Sequence, residues 1–296
     1  MTERLVWERD GFDWPHRETS RFVLAGGLKW HVQQMGQGPA VLLIHGTGAS
    51  THSWRDFAPL MARHCTVVAA DLPGHAFTDT PPAAQMSLPG MSNALAALVD
   101  VLALDVALCI GHSAGAAIGA RMVLDRRIAP DALVSINGAF LPLGGLPGLL
   151  FPPVARVMAA TPLASKLFAW RASDRAAVER LIGGTGSALD AAGVELYARL
   201  VRDQRHAAGA LAMMAQWDLR PLLRDLPALP TPLVLLVGAN DRAVPPEQAR
   251  RVSALLPQAP KPIVLQHMGH LAHEERPEEV ARAVLHAVAG FVRVPS

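Results

Sequence analysis

The sequence predicts an α/β protein: a mostly parallel central sheet with helices on both faces and a helical insertion late in the chain. Three observations carry this expectation. Short apolar runs without alternation, which suit strands buried on both faces, take turns with stretches of helical spacing. One such run, Val106-Ala107-Leu108-Cys109-Ile110, breaks on Gly111-His112-Ser113-Ala114-Gly115 and at once becomes helix-like through about Leu124. Between about Ala139 and Arg220 the alternation stops, and a Gly/Pro/Leu-rich stretch is followed by helical patterns alone.

Composition narrows the function classes. A chain of 296 residues, 51 % of them hydrophobic, can bury a large core, and only 18 % charged residues argues against disorder. The formal net charge is +2 and the arginines are scattered apart from pairs such as Arg126-Arg127 and Arg250-Arg251, so no nucleic-acid partner is expected. The N-terminal residues carry no apolar core of a secretory signal, and no run of about 18 uninterrupted apolar residues exists to span a bilayer. Leu141 to Val154 comes nearest, but Pro142, Pro147, Pro152 and Pro153 interrupt it. Cys65 and Cys109 lie in strand-like runs, which suits buried free thiols and a reducing cytoplasm.

Taken in order, the first twenty residues read as a polar arm across the surface, with Trp7, Trp14 and Pro15. Arg21 to Ala25 and Leu28 to Gln34 flank Gly26-Gly27 as a hairpin. Ala40 to Ile44 is a buried strand ending in His45-Gly46-Thr47-Gly48, and a helix follows around Trp54 to Met61. Thr66 to Ala70 is the next strand, closing on Asp71-Leu72-Pro73-Gly74-His75, and Leu88 to Leu104 has helical spacing. Ala132 to Ile136 is a strand. The insertion predicts helices over Leu163 to Trp170, Asp174 to Ile182, Ala188 to Val201 and Gln204 to Leu219. Strands resume at Pro232 to Val237 and Pro262 to Leu265, and Pro277 to Phe291 is the last helix, with proline in its first turn. The domain reading is an α/β core of residues 1–138 and 221–296, with residues 139–220 as a helical cap over the strand ends where such sheets bind ligands.

The chemistry centres on Ser113. The small residues at 111 and 115 permit a turn so sharp that its hydroxyl stands clear of the sheet, and the following helix points a partly positive N-terminus at the same spot. A neutral hydroxyl needs a base, and the base needs an acid to hold its tautomer. Asp241 lies just beyond one late strand and His270 beyond the next. By itself Asp241 reads as a loop aspartate capping the helix near Pro245, and Asp71, in its Pro-Gly context, as a turn builder. His267, His270 and His273 recur every third residue, but Gly269 argues against one helix presenting all three to a metal, and none is expected. His273 is expected to bond locally with Glu274, His112 to point away from the pocket, and His45 to be structural.

The order Ser113, Asp241, His270, each at a strand C-terminus, resembles the α/β-hydrolase fold family, and the resemblance runs along the whole chain. It implies Ser113 as nucleophile, His270 as general base and then acid, Asp241 as the residue orienting His270, and the amides of Thr47 and Ala114 as an oxyanion hole, with no cofactor. Serine at 113 counts against the dehalogenase and epoxide-hydrolase members, which use aspartate there. Trp7-Glu8-Arg9-Asp10-Gly11, Trp14-Pro15, Arg21-Phe22-Val23, Gly27 to Gln33, Asp71 to Thr78 and Gly111 to Gly115 further resemble the magnesium-chelatase accessory proteins of bacteriochlorophyll biosynthesis. Ala76 departs from the glycine usual in hydrolases, which puts the bend there in question. This second resemblance implies a role around magnesium insertion into protoporphyrin, with chelatase subunits as partners, an apolar small-molecule substrate such as a tetrapyrrole, and a cytoplasmic location with peripheral contact to the photosynthetic membrane through Leu141 to Val154.

Two function classes follow. One is a serine hydrolase of a carboxylic ester or related acyl bond. The other is a non-catalytic binder that holds porphyrin for the chelatase in a hydrolase-shaped pocket, since fold does not fix function. The cap residues Leu141, Leu143, Leu146, Leu149, Leu150, Phe151, Met158, Phe168 and Trp170 fit packing on the core, a lining for a flat macrocycle or acyl chain, or a surface for a membrane or partner.

Overall fold

Eight strands form a single sheet in the order β1-β2-β4-β3-β5-β6-β7-β8. The computed structural model describes residues 5–142, 175–256 and 261–291. In chain order the elements are α1 (Trp7–Asp10), β1 (Ser20–Ala25), β2 (Leu28–Met35), β3 (Ala40–Ile44), α2 (Ala58–Met61), β4 (Thr66–Ala70), α3 (Leu88–Val101), β5 (Val106–His112), α4 (Ala114–Leu124) and β6 (Ala132–Ile136). They continue with α5 (Arg175–Gly184), α6 (Ala191–Arg202), α7 (Gln204–Ala215), α8 (Arg220–Asp225), β7 (Leu233–Gly238), α9 (Pro246–Leu255), β8 (Ile263–Leu265), α10 (Ala272–Glu275) and α11 (Pro277–Val288). β1 and β2 pair antiparallel, as do β2 and β4, while every pair from β4 to β8 is parallel.

The unbroken apolar strands are explained by cores on both faces of the sheet. Side chains alternate, so Leu42, Ile44, Cys109, Leu133 and Leu235 join Met91 and Leu95 of α3 and Ile118 and Met122 of α4. Their neighbours Val41, Leu43, Leu108, Ile110, Val134 and Leu236 turn the other way, onto Trp54, Phe57, Met61 and the Val280, Val284, Val288 stripe of α11. Both cysteines are buried and free, and burial pushes the Cys65 and Cys109 thiols up to about 11 and about 12.

Between β6 and β7 the described residues hold only helices, α5 to α8. The expected helix over Leu163 to Trp170, and the apolar residues from Leu143 to Trp170, lie outside the described residues; of that set Leu141 is described, and it is buried in the core. The helix expected over Gln204 to Leu219 ends early, at Ala215; the Asp218 carboxylate accepts the Arg220 N–H at 3.0 Å, and α8 starts afresh with Pro221 in its first turn, where a missing N–H costs nothing. The helix expected around Trp54 is likewise shorter, α2 having Pro59 in its first turn.

The arm lies across the surface, with Val6, Glu8, Arg9, Phe12 and Asp13 exposed, and is pinned there by a few buried residues. Trp14 is buried and donates through Nε1 to Thr51 Oγ1 at 3.2 Å, and the Leu5 N–H donates to Asp203 Oδ2 at 3.2 Å. An indole costs less buried with its N–H satisfied than exposed, so Trp14 turns inward.

Helix α7 is fastened to the loop after β4. A Cβ on Gly209 would stand 2.1 Å from the Gly74 carbonyl oxygen. His206 accepts the Ala76 N–H through Nδ1 at 3.0 Å, Nε2 donates to the Gly48 carbonyl at 3.1 Å, and Arg205 donates to the Ala76 carbonyl. These bonds hold Ala76 in the left-handed region at φ 40°, so the bend survives the loss of the usual glycine. No helix among the described residues is long and apolar enough to cross a membrane. Replacing Gly209 with Ala should destabilise the fold by about 1–3 kcal/mol, the usual cost of overpacking, despite alanine's better helix propensity. Urea unfolding of the two proteins would measure it, and a gain in stability would show that α7 does not sit this close.

Candidate active site

A single residue separates β5 from α4, and Ser113 takes the whole turn at φ 52°, ψ −119°. A non-glycine residue held there costs about 1–3 kcal/mol, which the surroundings must offset. They do so by crowding and by hydrogen bonds. A Cβ on Gly115 would lie 2.1 Å from the Ile44 carbonyl oxygen and one on Gly111 2.4 Å from Ala116, so only glycine lets α4 come this close to β3 and β5. The Ser113 N–H donates to the Ile136 carbonyl at 3.1 Å, and its carbonyl accepts the Ala139 N–H at 3.0 Å.

His270 sits between β8 and α10, and its Nδ1–H donates to Asp241 Oδ2 at 2.9 Å, with the carboxylate fully buried. The other oxygen of Asp241 accepts the N–H groups of Ala243 and Val244, both at 2.8 Å. Turn building and imidazole orientation therefore coexist on one carboxylate, one oxygen each. Ser113, His270 and Thr47 line one cavity of about 250 Å³, together with the apolar Val178, Ile182, Val201 and Leu271 and the polar His112 and Tyr197. Ala114 opens α4, so its N–H has no carbonyl a turn earlier to receive it and faces the same end of the sheet as the Thr47 loop. Three of the five expected residues, Thr47, Ser113 and His270, thus line one cavity, with Ala114 directly after Ser113 and Asp241 bonded to His270. The arrangement can hold a nucleophile, a base with a fixed tautomer and two backbone donors for a developing oxyanion.

His45 and His206 are structural. His45 Nε2 accepts the Leu72 N–H at 2.8 Å and Nδ1 donates to the Gly46 carbonyl at 2.8 Å, which requires the neutral ring; burial lowers its pKa. His206 is likewise neutral, pushed down to about 4 by burial. The His45 and His206 rings thus hold both ends of the Gly46–Gly48 loop. His112 borders the cavity rather than pointing away from it, and donates through Nε2 to the His270 carbonyl at 2.9 Å. His267 is exposed and His273 fully buried, so these two point apart. The nearest approach of the His273 ring to the Glu274 carboxylate is 3.9 Å, and Glu274 instead accepts from the Tyr197 hydroxyl at 2.7 Å, correcting the expected local bond.

Asp71, expected to build a turn, does so and more. Its oxygens accept the N–H groups of Thr51 at 2.8 Å and Phe77 at 3.2 Å, and His31 Nδ1 at 2.8 Å; these donors hold its pKa far below the usual carboxylate range in spite of burial.

Sequence reasoning missed the support from the insertion and from β6. The Ser187 hydroxyl accepts the Leu271 N–H at 2.8 Å, and the Thr185 carbonyl accepts the Arg242 N–H at 3.0 Å, so one insertion loop touches both the Asp241 and His270 loops. Asn137, just past β6, donates through Nδ2 to Asp241. The Asn-Gly pair at 137 and 138 signals a turn, and nothing local signals its partner.

This site on this sheet is that of a hydrolase fold, and the chain belongs to the alpha/beta hydrolase family, whose model matches residues 41–283. It is 35 % identical over 282 residues to the magnesium-chelatase 30 kDa subunit of Rhodobacter capsulatus, covering 94 % of this chain and 97 % of that one. It is 26 % identical to the 2-hydroxy-6-oxo-6-(2'-aminophenyl)hexa-2,4-dienoic acid hydrolase of Metapseudomonas resinovorans, over 90 % of this chain and 89 % of the other. Among solved structures, an alpha/beta hydrolase fold protein from Burkholderia ambifaria superposes with a TM-score of 0.75 at 26 % identity, covering 90 % of this chain and 97 % of that one.

Burial pushes the Glu274 carboxyl from its ordinary 4.5 up to about 8. Between those values the folded protein keeps a proton that the unfolded chain has lost, so stability falls as pH rises, by up to about 1.4 kcal/mol per unit, and the fall ends above pH 8. Glu274→Gln should flatten this slope in chemical denaturation from pH 5 to pH 8; an unchanged slope would place the proton elsewhere.

Proposed function

We propose that the chain is a serine hydrolase acting on a carboxylic ester or related acyl bond, and that it works beside a magnesium chelatase in bacteriochlorophyll synthesis. The observation that carries the chemistry is the strained Ser113 elbow opening into the same cavity as an imidazole whose Nδ1 is held by Asp241. In this reading the Ser113 hydroxyl attacks the acyl carbon while His270 takes its proton, and the oxyanion forms against the Ala114 and Thr47 amides, each worth about 3 kcal/mol to the transition state. His270 passes the proton to the leaving group and then activates a water, which releases the acid. Residues 139–220 act as the cap over this site.

The pathway reading is supported by the near full-length likeness to the chelatase subunit. The cavity, about 250 Å³, falls below the roughly 300–1,000 Å³ of pockets that enclose drug-sized ligands. A cavity this small supports a short acyl group, or the ester arm of something larger, as what enters it. The second reading, a non-catalytic porphyrin holder, is favoured by the relative's name, because magnesium insertion requires no ester hydrolysis.

A fluorophosphonate probe should label the wild-type protein and leave Ser113→Ala unlabelled; an unlabelled wild type would favour the holder. If Ser113→Ala still supports full pigment synthesis in cells, the hydroxyl is dispensable to the biological role. Among p-nitrophenyl esters, butanoyl should exceed dodecanoyl in kcat/KM by about tenfold or more, as expected where surplus methylenes cannot enter. The reverse order would refute the small acyl site.

A further inference from the structure

We infer that Asn137 is a positioning residue that holds the Asp241–His270 pair in working geometry. The inference rests on the hydrolase reading of that pair. Asn137 follows β6, between the strand that delivers Ser113 and the strand that delivers Asp241, and is buried with φ at 52°. Its Nδ2 donates to Asp241 Oδ2 at 2.5 Å and to the Gly269 carbonyl at 3.3 Å. The first of these oxygens is the one that receives His270 Nδ1, and the second belongs to the residue before His270. One amide group thus ties the acid loop to the histidine loop.

The amide orientation follows from chemistry. Both neighbours of Nδ2 are acceptors, so the opposite rotamer would set a carbonyl oxygen against a carboxylate. Asn137 Oδ1 finds no hydrogen-bond partner among the described residues, so the side chain is held there for what it donates. The backbone extends the tie: Asn137 N–H donates to the Leu236 carbonyl at 2.8 Å, and the Ile136 carbonyl and the Ala139 N–H bond the Ser113 backbone.

With both Asp241 oxygens occupied by donors, the carboxylate cannot turn, and the imidazole it holds keeps its direction toward the cavity. Removing the amide frees Oδ2 to draw the protonated ring closer, which opposes the proton's onward passage to the leaving group. A bland reading competes: asparagine tolerates the left-handed conformation, and a turn is all it makes.

The two readings separate on Asn137→Gly, since glycine accepts this φ without strain and lacks the amide. We expect melting to change little, kcat to fall roughly tenfold to a hundredfold as for a misdirected catalytic group, and KM to hold, because Asn137 does not line the cavity. The acidic limb of the pH–activity profile should move to higher pH. Asn137→Asp, of the same shape but charged, should lose more activity. A second readout needs no turnover: the low-field proton resonance of His270 Nδ1–H, identified by its loss in His270→Gln, should shift in Asn137→Gly. An unchanged resonance together with unchanged kcat overturns the inference and leaves the hydrolase reading standing. A shifted resonance in a protein that no fluorophosphonate labels keeps the tie and removes the hydrolase.

Discussion

The structure depends on one steric constraint: the chain must pass from β5 into α4 through a single residue, with Ser113 held at positive φ. That is tolerable only where α4 lies almost against the backbone of β3, and the contact of Gly115 with the Ile44 carbonyl sets this distance. A side chain at 115 would push the helix away, open the turn and carry the Ala114 amide out of line with the Thr47 loop. The parallel sheet supplies the rest of the frame, since its strands all deliver their C-terminal ends to the same side. Asp241 and His270, far away in the chain, arrive beside Ser113 for that reason.

Burial then decides what each polar group does there. His45 and His206 are neutral because each ring nitrogen has one assigned partner, so they act as fixed hydrogen-bonding struts for the Gly46–Gly48 loop. Glu274 retains its proton to about pH 8, which keeps a negative charge away from the back of the site near neutrality. Asp71 follows the opposite course, because three donors surround its carboxylate. Two buried carboxyl groups in one protein thus differ in charge through their donors and the charges around them.

Much of this was legible from residue order. The buried strands announce themselves as unbroken apolar runs, and Ser113, Asp241 and His270 stand at strand ends in a sequence that few other folds share. Periodicity marks α6 as helical but does not say which of its residues look into a cavity, so Tyr197 and Val201 escaped notice. Asn137 escaped for a different reason: its partner lies 104 residues away, and a turn was sufficient local explanation. The N-terminal arm was legible as a surface segment, but its anchors, the Trp14 indole on Thr51 and the Leu5 amide on Asp203, have partners too far along the chain to be read locally.

The attachment of α7 gives the two ends of the insertion different freedoms. Gly209 against Gly74 and the paired bonds of His206 leave that helix no room to slide or to accept larger side chains. Substitution there would disturb the Gly46–Gly48 loop itself. On α5, by contrast, Leu181 stands half exposed at the cavity rim, and the helix is fastened beyond its C-terminal end, through Thr185 and Ser187. A side chain on the exposed face of α5 can therefore change the rim of the cavity without disturbing the loop beneath it.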